Sequence, residues 1–331
     1  MTDILSAAAY LVAPLPELWF GLVVVALGGY LLLDGFDFGL GILFAEADQR
    51  ERETLLAAFG PVWKANEVWL VLFGTVLFAG FPAVYANVLS RHYLLVFAIL
   101  FALSLRGLGS KLREEREDER WVRFWDACFV VGSATSPFLL GTFVASWVLG
   151  EPSALAVGPL IVGVTVVTLT IVLGGAFLGV KTEGDLRHRV LRRGRLATGG
   201  YVGLFVVTAV VLLRHYPELR ADVLSPVTAV VVLATVGFAV VYAVSVSHGQ
   251  YRIVVAAAGG LAAAFVTFVA HLLYPLVDPA AGLTIRDAVV SPLALNVASI
   301  VAAVFVPIIL GYFVFLYSLF SGPPNPDQRY S

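Results

Sequence analysis

Apolar windows of about 20 residues recur along this whole chain, and each is long enough to cross a hydrocarbon core roughly 30 Å thick. Lipid offers the backbone no hydrogen bonds, so such recurrence restricts the fold to a bundle of helices. With 60% hydrophobic and only 13% charged residues among 331, soluble and single-span architectures are excluded. The windows predict nine helices, over residues 17–44, 61–83, 92–109, 124–149, 157–180, 197–214, 223–246, 253–274 and 294–320. The expected fold is an all-α polytopic membrane protein. It forms one domain over 1–331, with a short N-terminal segment (1–16) and a C-terminal tail, SGPPNPDQRYS (321–331).

Lys and Arg orient such a bundle, because short loops rich in them stay in the cytoplasm. An outer N-terminus assigns sixteen basic residues to the inner face, Arg106 among them, and only Arg91, Arg214, Arg220 and Arg286 to the outer face. The expected protein is therefore a multi-pass protein of the cell membrane with its N-terminus outside and its C-terminus cytoplasmic. Residues 1–16 have no basic n-region, so the first span is expected to serve as the insertion signal. The connections, with the longest near 110–123, 181–196 and 275–293, are too short for a separate soluble domain.

A net charge of −2 gives no basis for nucleic-acid binding. One cysteine, Cys128, excludes an intrachain disulfide or thiolate cluster. Haem ligands are scarce: Met1 is the single methionine, and His92, His188, His215 and His248 fall at span ends or in loops. His271 alone is embedded, about one turn from a helix end, where hydrogen bonding near the interface is the simplest role. Pro82, Pro137 and Pro307 are expected to kink their spans.

Charges inside apolar sequence are the functional signal. Asp34 and Asp37 lie in LLLDGFDFGLG, and Lys64 and Glu67 in GPVWKANEVWLVLFG. An ionisable group at membrane depth costs roughly 2.5–3.5 kcal/mol on insertion scales, so it is retained for a pathway or a partner. Each pair has i, i+3 spacing and shares one helical face, and the nearby glycines Gly35, Gly39 and Gly41 admit close helix packing. Asp37 and Glu67 each lie about 10 Å from the inner ends of their helices, so antiparallel neighbours bring them level. A buried carboxylate–ammonium network follows as an expectation. It serves either as a proton relay open to the cytoplasm or as a static ion pair joining two helices. Asp126 begins the fourth span, where Arg123 can pair with it. Asn296 begins the ninth, where an amide can cap or cross-link helices.

GYLLLDGFDFGLGIL, GPVWKANEVWLVLFGTVLFAGFPAVYA, RFWDACFVVGSATSPFLLG and LALNVASIVAAVFVPIILGY, in that order, resemble subunit II of the cytochrome bd-type quinol oxidases over nearly the whole chain. The resemblance implies two four-helix bundles plus one peripheral helix, paired with a haem-bearing subunit I. Haems b and d and the quinol-oxidising loop would belong to that partner, and this chain would hold none. As half of a quinol:oxygen oxidoreductase it would face the quinol pool in the lipid membrane. A small accessory membrane subunit and a structural quinone in this subunit are options the resemblance leaves open. Trp63, Asn66, Glu67, Trp69, Asp126 and Asn296 match the family pattern. The family's two relay carboxylates fall on Asp37 and on Lys64, and the latter is a departure, an ammonium where the family has a carboxylate.

The competing class is a secondary transporter in which Asp37, Lys64 and Glu67 form a coupling site. Such sites favour broken helices meeting at mid-membrane. The first two spans read as continuous.

Overall fold

The computed structural model describes residues 9–319; the segment before residue 9 and the predicted tail 321–331 lie outside the described residues. Long helices dominate. Helix α1 is Leu15–Leu43, α2 Gln49–Phe59, α3 Trp63–Gly80, α4 Pro82–Arg91, α5 Tyr93–Leu112 and α6 Glu119–Val148. They are followed by α7 Val157–Lys181, α8 Gly184–His215, a short α9 Arg220–Val223, α10 Pro226–Ser247 and α11 Tyr251–Leu273. A two-stranded hairpin, β1 Leu276–Asp278 with β2 Leu283–Thr284, leads through α12 Ile285–Ala288 to α13 Pro292–Leu319. Eight of these helices are long and apolar enough to cross a membrane, and the α2–α3 pair, bent by 51°, supplies a ninth, broken span.

The apolar windows located the spans, and local chemistry sets their ends. Asp48 caps α2, accepting from the Glu51 N–H while the Glu51 carboxylate accepts from the Asp48 N–H. Gly150 and Gly249, both at positive φ, end α6 and α10. In each case the next residue's N–H reaches back to a carbonyl of the last turn, Glu151 to Ser146 and Gln250 to Ser245. Two expectations change. Pro82 does not kink the second span: with Phe81 it ends α3 and starts α4, as proline does at a first helical position. Pro137 and Pro307 do lie inside helices. The predicted loop 181–196 is mostly helix, because α8 starts at Gly184 and its charged first turns extend past the apolar window.

Helices α1, α3, α5 and α6 make one bundle and α7, α8, α10 and α11 a second. The two share a seam where α1 and α6 meet α7. It is tightest at Gly39 and Gly174, whose backbones touch with no room for a side chain on either. Helix α13 lies outside both bundles against α3, most of its surface exposed. The end where α1 begins is called proximal here and the opposite end distal. At the distal end Arg189 pairs with Glu51 and Arg193 with Glu46, tying the bundles together.

Candidate functional site

Three of the four charged residues singled out in the sequence, Asp34, Asp37 and Glu67, converge between α1, α3 and α5. Asp34 and Asp37 share the buried face of α1 and both are fully buried. Asn66 and Glu67 approach from α3. Asn66 Nδ2 donates to Asp37 Oδ2 at 2.8 Å and to the Leu33 carbonyl at 3.1 Å, and its Oδ1 accepts from the Tyr317 hydroxyl of α13 at 2.9 Å.

The cation at the centre is not Lys64. It is Arg106 of α5, with no exposed side-chain surface, donating to both Asp34 oxygens at 2.8 and 3.1 Å and to Glu67 Oε1 at 2.7 Å. Its guanidinium also lies 4.4 Å from the centre of the Phe38 ring, a cation–π contact in a dry setting. A guanidinium suits this place because its planar fork can hold two carboxylates at once and stays charged. Lys64, one turn before Glu67, is exposed on the outside of α3 with its ammonium 5.9 Å from the Trp63 ring. The expected carboxylate–ammonium network is therefore a carboxylate–guanidinium network, and Lys64 stands outside it.

The cluster brings three carboxyl groups against one permanent cation. Asp34 and Glu67 take that cation, while Asp37 has an amide on one oxygen and no protein partner on the other. An ionised carboxylate isolated from water and from cations is strongly disfavoured, so Asp37 is the member chemically suited to hold and exchange a proton. Glu67, a third exposed at its side chain, is the member that reaches the surface of the bundle.

The other predicted residues have structural partners. Asp126 pairs with Arg52 at 3.0 Å and Arg113 at 2.7 Å, whereas the expected partner, Arg123, turns outward to Glu119. Asn296 ties α13 to the non-helical segment before α1 rather than to another helix, its amide bonding the backbone of Ala9 and Leu11. Trp69 packs edge-on against Phe313 of α13, and Trp63 stacks on Phe59. His271 meets the Ser225 hydroxyl at 2.8 Å, the interfacial hydrogen bond expected.

Two cavities lie elsewhere. One sits between α1, α6, α7 and α11 and is lined by apolar and aromatic side chains; the other lies between the second-bundle helices and α6. Neither is lined by His, Met or Cys. Neither touches Asp37, Lys64 or Glu67. The break at residues 60–62 departs from the continuous spans expected. The Gly60 and Val62 N–H groups bond back to Leu56 and Phe59.

The fold and site thus define an integral membrane protein of two four-helix bundles with a peripheral helix and a largely buried ionic cluster that reaches the surface at Glu67. Residues 15–320 match the family model for cytochrome bd terminal oxidase subunit II, and the chain belongs to that family. It is 35% identical over 201 residues to cytochrome bd ubiquinol oxidase subunit 2 of Bacillus subtilis, covering 56% of this chain and 60% of that one. With cytochrome bd-I ubiquinol oxidase subunit 2 of Escherichia coli K12 it shares 31% over 198 residues, 54% of this chain and 52% of that one. The matched part thus spans between half and three-fifths of these relatives' lengths. The solved bd oxidase of Geobacillus thermodenitrificans has the same fold, with a TM-score of 0.77 at 20% identity over 92% of this chain and 98% of the matched chain.

Proposed function

We propose that this chain is the subunit of a bd-type quinol oxidase that carries no haem, scaffolding a haem-bearing subunit I and lining a route by which cytoplasmic protons reach oxygen reduction. The observation that carries the reading is the surplus of carboxyl groups over cations in the buried cluster, with Asp37 free of a cation and Glu67 opening outward. In this reading Glu67 collects protons, Arg106 fixes Glu67 and Asp34, and Asp37 holds the proton in transit. The excess of Arg and Lys in the distal connections supports a cytoplasmic distal end and an outer proximal end. In this reading the haems are held by the partner, and the complex draws on the quinol pool of the membrane. A structural quinone, if bound here, would lay its isoprenoid tail against the apolar side chains between α1, α6 and α11.

Asp37→Asn tests the reading, because the amide keeps the shape and the Asn66 contact but cannot release a proton. The expected result is full haem content in the purified complex with quinol-dependent oxygen uptake lost. Unchanged turnover removes Asp37 from the route. A preparation of this chain that is colourless, has no large partner and moves a solute would favour the transporter reading instead.

A further inference from the structure

We infer that the distal ends of α8 and α10 hold an anionic phospholipid, with its phosphate on Arg192 and Arg195 and one acyl chain in the cleft that runs from Gly199 toward Val206 and Val236. Such a site requires only that the chain spans a membrane, and it stands apart from the ionic cluster between α1, α3 and α5.

The first turns of α8 carry five arginines, and three of them are engaged within the protein. Arg189 pairs with Glu51 and Arg193 with Glu46, while Arg187 lies 4.8 Å from the centre of the Tyr251 ring and donates to the Thr182 carbonyl. Arg192 and Arg195 are exposed, and neither enters an ion pair among the described residues. Arg195 Nη1 reaches only a neutral group, the Ser247 hydroxyl of α10, at 3.3 Å. The acidic residues of α8 and its cap, Asp185 and Glu183, stand two turns or more further out, at least about 10 Å along the axis from Arg192. Arg252, exposed at the start of α11, adds a further cation to the same end.

The two uncompensated guanidinium groups stand at the level of phospholipid headgroups. The apolar run of α8 begins at Ala197, so Arg192 and Arg195 lie within about 8 Å of the hydrocarbon edge. On the apolar side of them, Arg195, Gly199 and Val206 follow one line of α8 at spacings of four and seven, and Ser247, Val240 and Val236 follow one line of α10 at seven and four. The helices run antiparallel and the Arg195–Ser247 contact sets these lines level, so eleven residues, about 16 Å, bring them to Val206 and Val236. Val206, Val236 and Val240 leave 52%, 46% and 56% of their surface open, and a side chain on Gly199 would meet nothing within 4 Å. The cleft is thus open, apolar along its length and headed by two cations. Guanidinium groups hold phosphate through paired hydrogen bonds, and basic recesses between membrane helices at this depth suit anionic headgroups. A neutral lipid would leave the arginines uncompensated and a free phosphate would leave the cleft unfilled, so charge and shape together select an anionic phospholipid.

The test uses the complex purified through a tag on this chain, stripped of lipid and titrated with phosphatidylglycerol under native mass spectrometry. Arg192→Gln combined with Arg195→Gln should weaken the tightest binding step about thirtyfold, since each basic group near a membrane surface is worth roughly a factor of five. Both side chains are exposed and outside any ion pair, so this variant should keep its unfolding temperature. Arg50→Gln combined with Arg120→Gln, which removes two exposed cations of the same end away from the cleft, should leave the affinity unchanged. Gly199→Leu, which fills the cleft and keeps both arginines, should weaken binding about tenfold, and the photocross-linker Val240→p-benzoylphenylalanine should capture phospholipid. Unchanged affinity in the Arg192 and Arg195 variant overturns the site, as does an equal loss in the Arg50 and Arg120 variant, which would mark a diffuse surface charge. Glycerol phosphate binding as tightly as the lipid, or unchanged affinity in Gly199→Leu, overturns the seating of the acyl chain. Capture of a protein chain from Val240 assigns the cleft to a protein and overturns the lipid.

Discussion

Arg106 and Asp34 form a two-bond ion pair, at 2.8 and 3.1 Å, in which neither side chain reaches solvent or lipid. Such a pair contributes little net stability compared with apolar residues of the same shape, yet removing one partner leaves a buried charge uncompensated. Arg106→Leu is therefore expected to cost about 3–5 kcal/mol and to abolish recovery of the folded complex. Arg106→Leu combined with Asp34→Leu should regain part of that loss, because only Glu67, which is partly exposed, remains without its cation. Thermal unfolding of the purified complexes gives the comparison, and a double variant no better than the single one would show that the pair is not the source of the loss.

The class of fold was legible because membrane insertion writes it into composition: residues that must face lipid or other helices have to be apolar over some 20 positions. Asp34, Asp37, Asn66 and Glu67 were legible for the complementary reason, as polar groups where lipid forbids them. Arg106 was missed because it stands near the end of its apolar window, in LSLRGLGS, where a basic residue reads as a cytoplasmic flank. Lys64 was misplaced because i, i+3 spacing puts it near Glu67 without fixing which edge of α3 turns inward. Helix rotation is set by packing: Asn66 and Trp69 take the buried side, against α1 and α13, and Lys64 is left outside. Tyr317 could not be linked to the site from sequence at all, since its bond to Asn66 spans 251 residues of chain.

Asn66 joins three helices through one amide, so its loss should be felt in both stability and turnover. Asn66→Leu removes the donor to Asp37 and to Leu33 and strands the Tyr317 hydroxyl. Buried groups left unpaired cost about 1–3 kcal/mol each, and a fall in thermal stability of that order is expected, together with slowed oxygen uptake. Tyr317→Phe, which removes one bond and leaves the Asp37 contact intact, should cost about 1 kcal/mol and spare turnover. Equal loss of turnover in both variants would show that α13 matters to activity in another way.

The seam between the bundles depends on Gly39. A methyl group there would collide with the Thr170 carbonyl oxygen and lie 2.8 Å from the Gly174 Cα, both backbone atoms that no rotamer change can move. Gly39→Ala is expected to push α1 from α7 and to destabilise the protein by about 1–3 kcal/mol. Gly74→Ala on α3, where nothing lies within 4 Å, supplies the matched control and should be neutral or slightly stabilising. Similar unfolding temperatures for the two variants would contradict the close approach at this seam.

His92 gives the proximal end a dependence on pH. It sits buried in the turn between α4 and α5, its ring edge-on to Phe143, beside the Arg91 that pairs with Asp278 at 3.2 Å. Burial, reinforced by the Arg91 charge and opposed by Asp278, holds its imidazole below the ordinary value of 6.5. The folded protein therefore favours the neutral ring, and the unfolded chain takes up the proton first as pH falls. The contribution of the neutral ring is fully present above about pH 6.5 and is lost progressively below it, down to the lower value of the folded state. Thermal unfolding of the purified protein between pH 7.5 and about pH 5 should show this decline, and His92→Phe, which keeps an aromatic ring against Phe143 but cannot titrate, should flatten it. An unfolding temperature that falls equally in both proteins over that interval would assign the acid sensitivity to other groups.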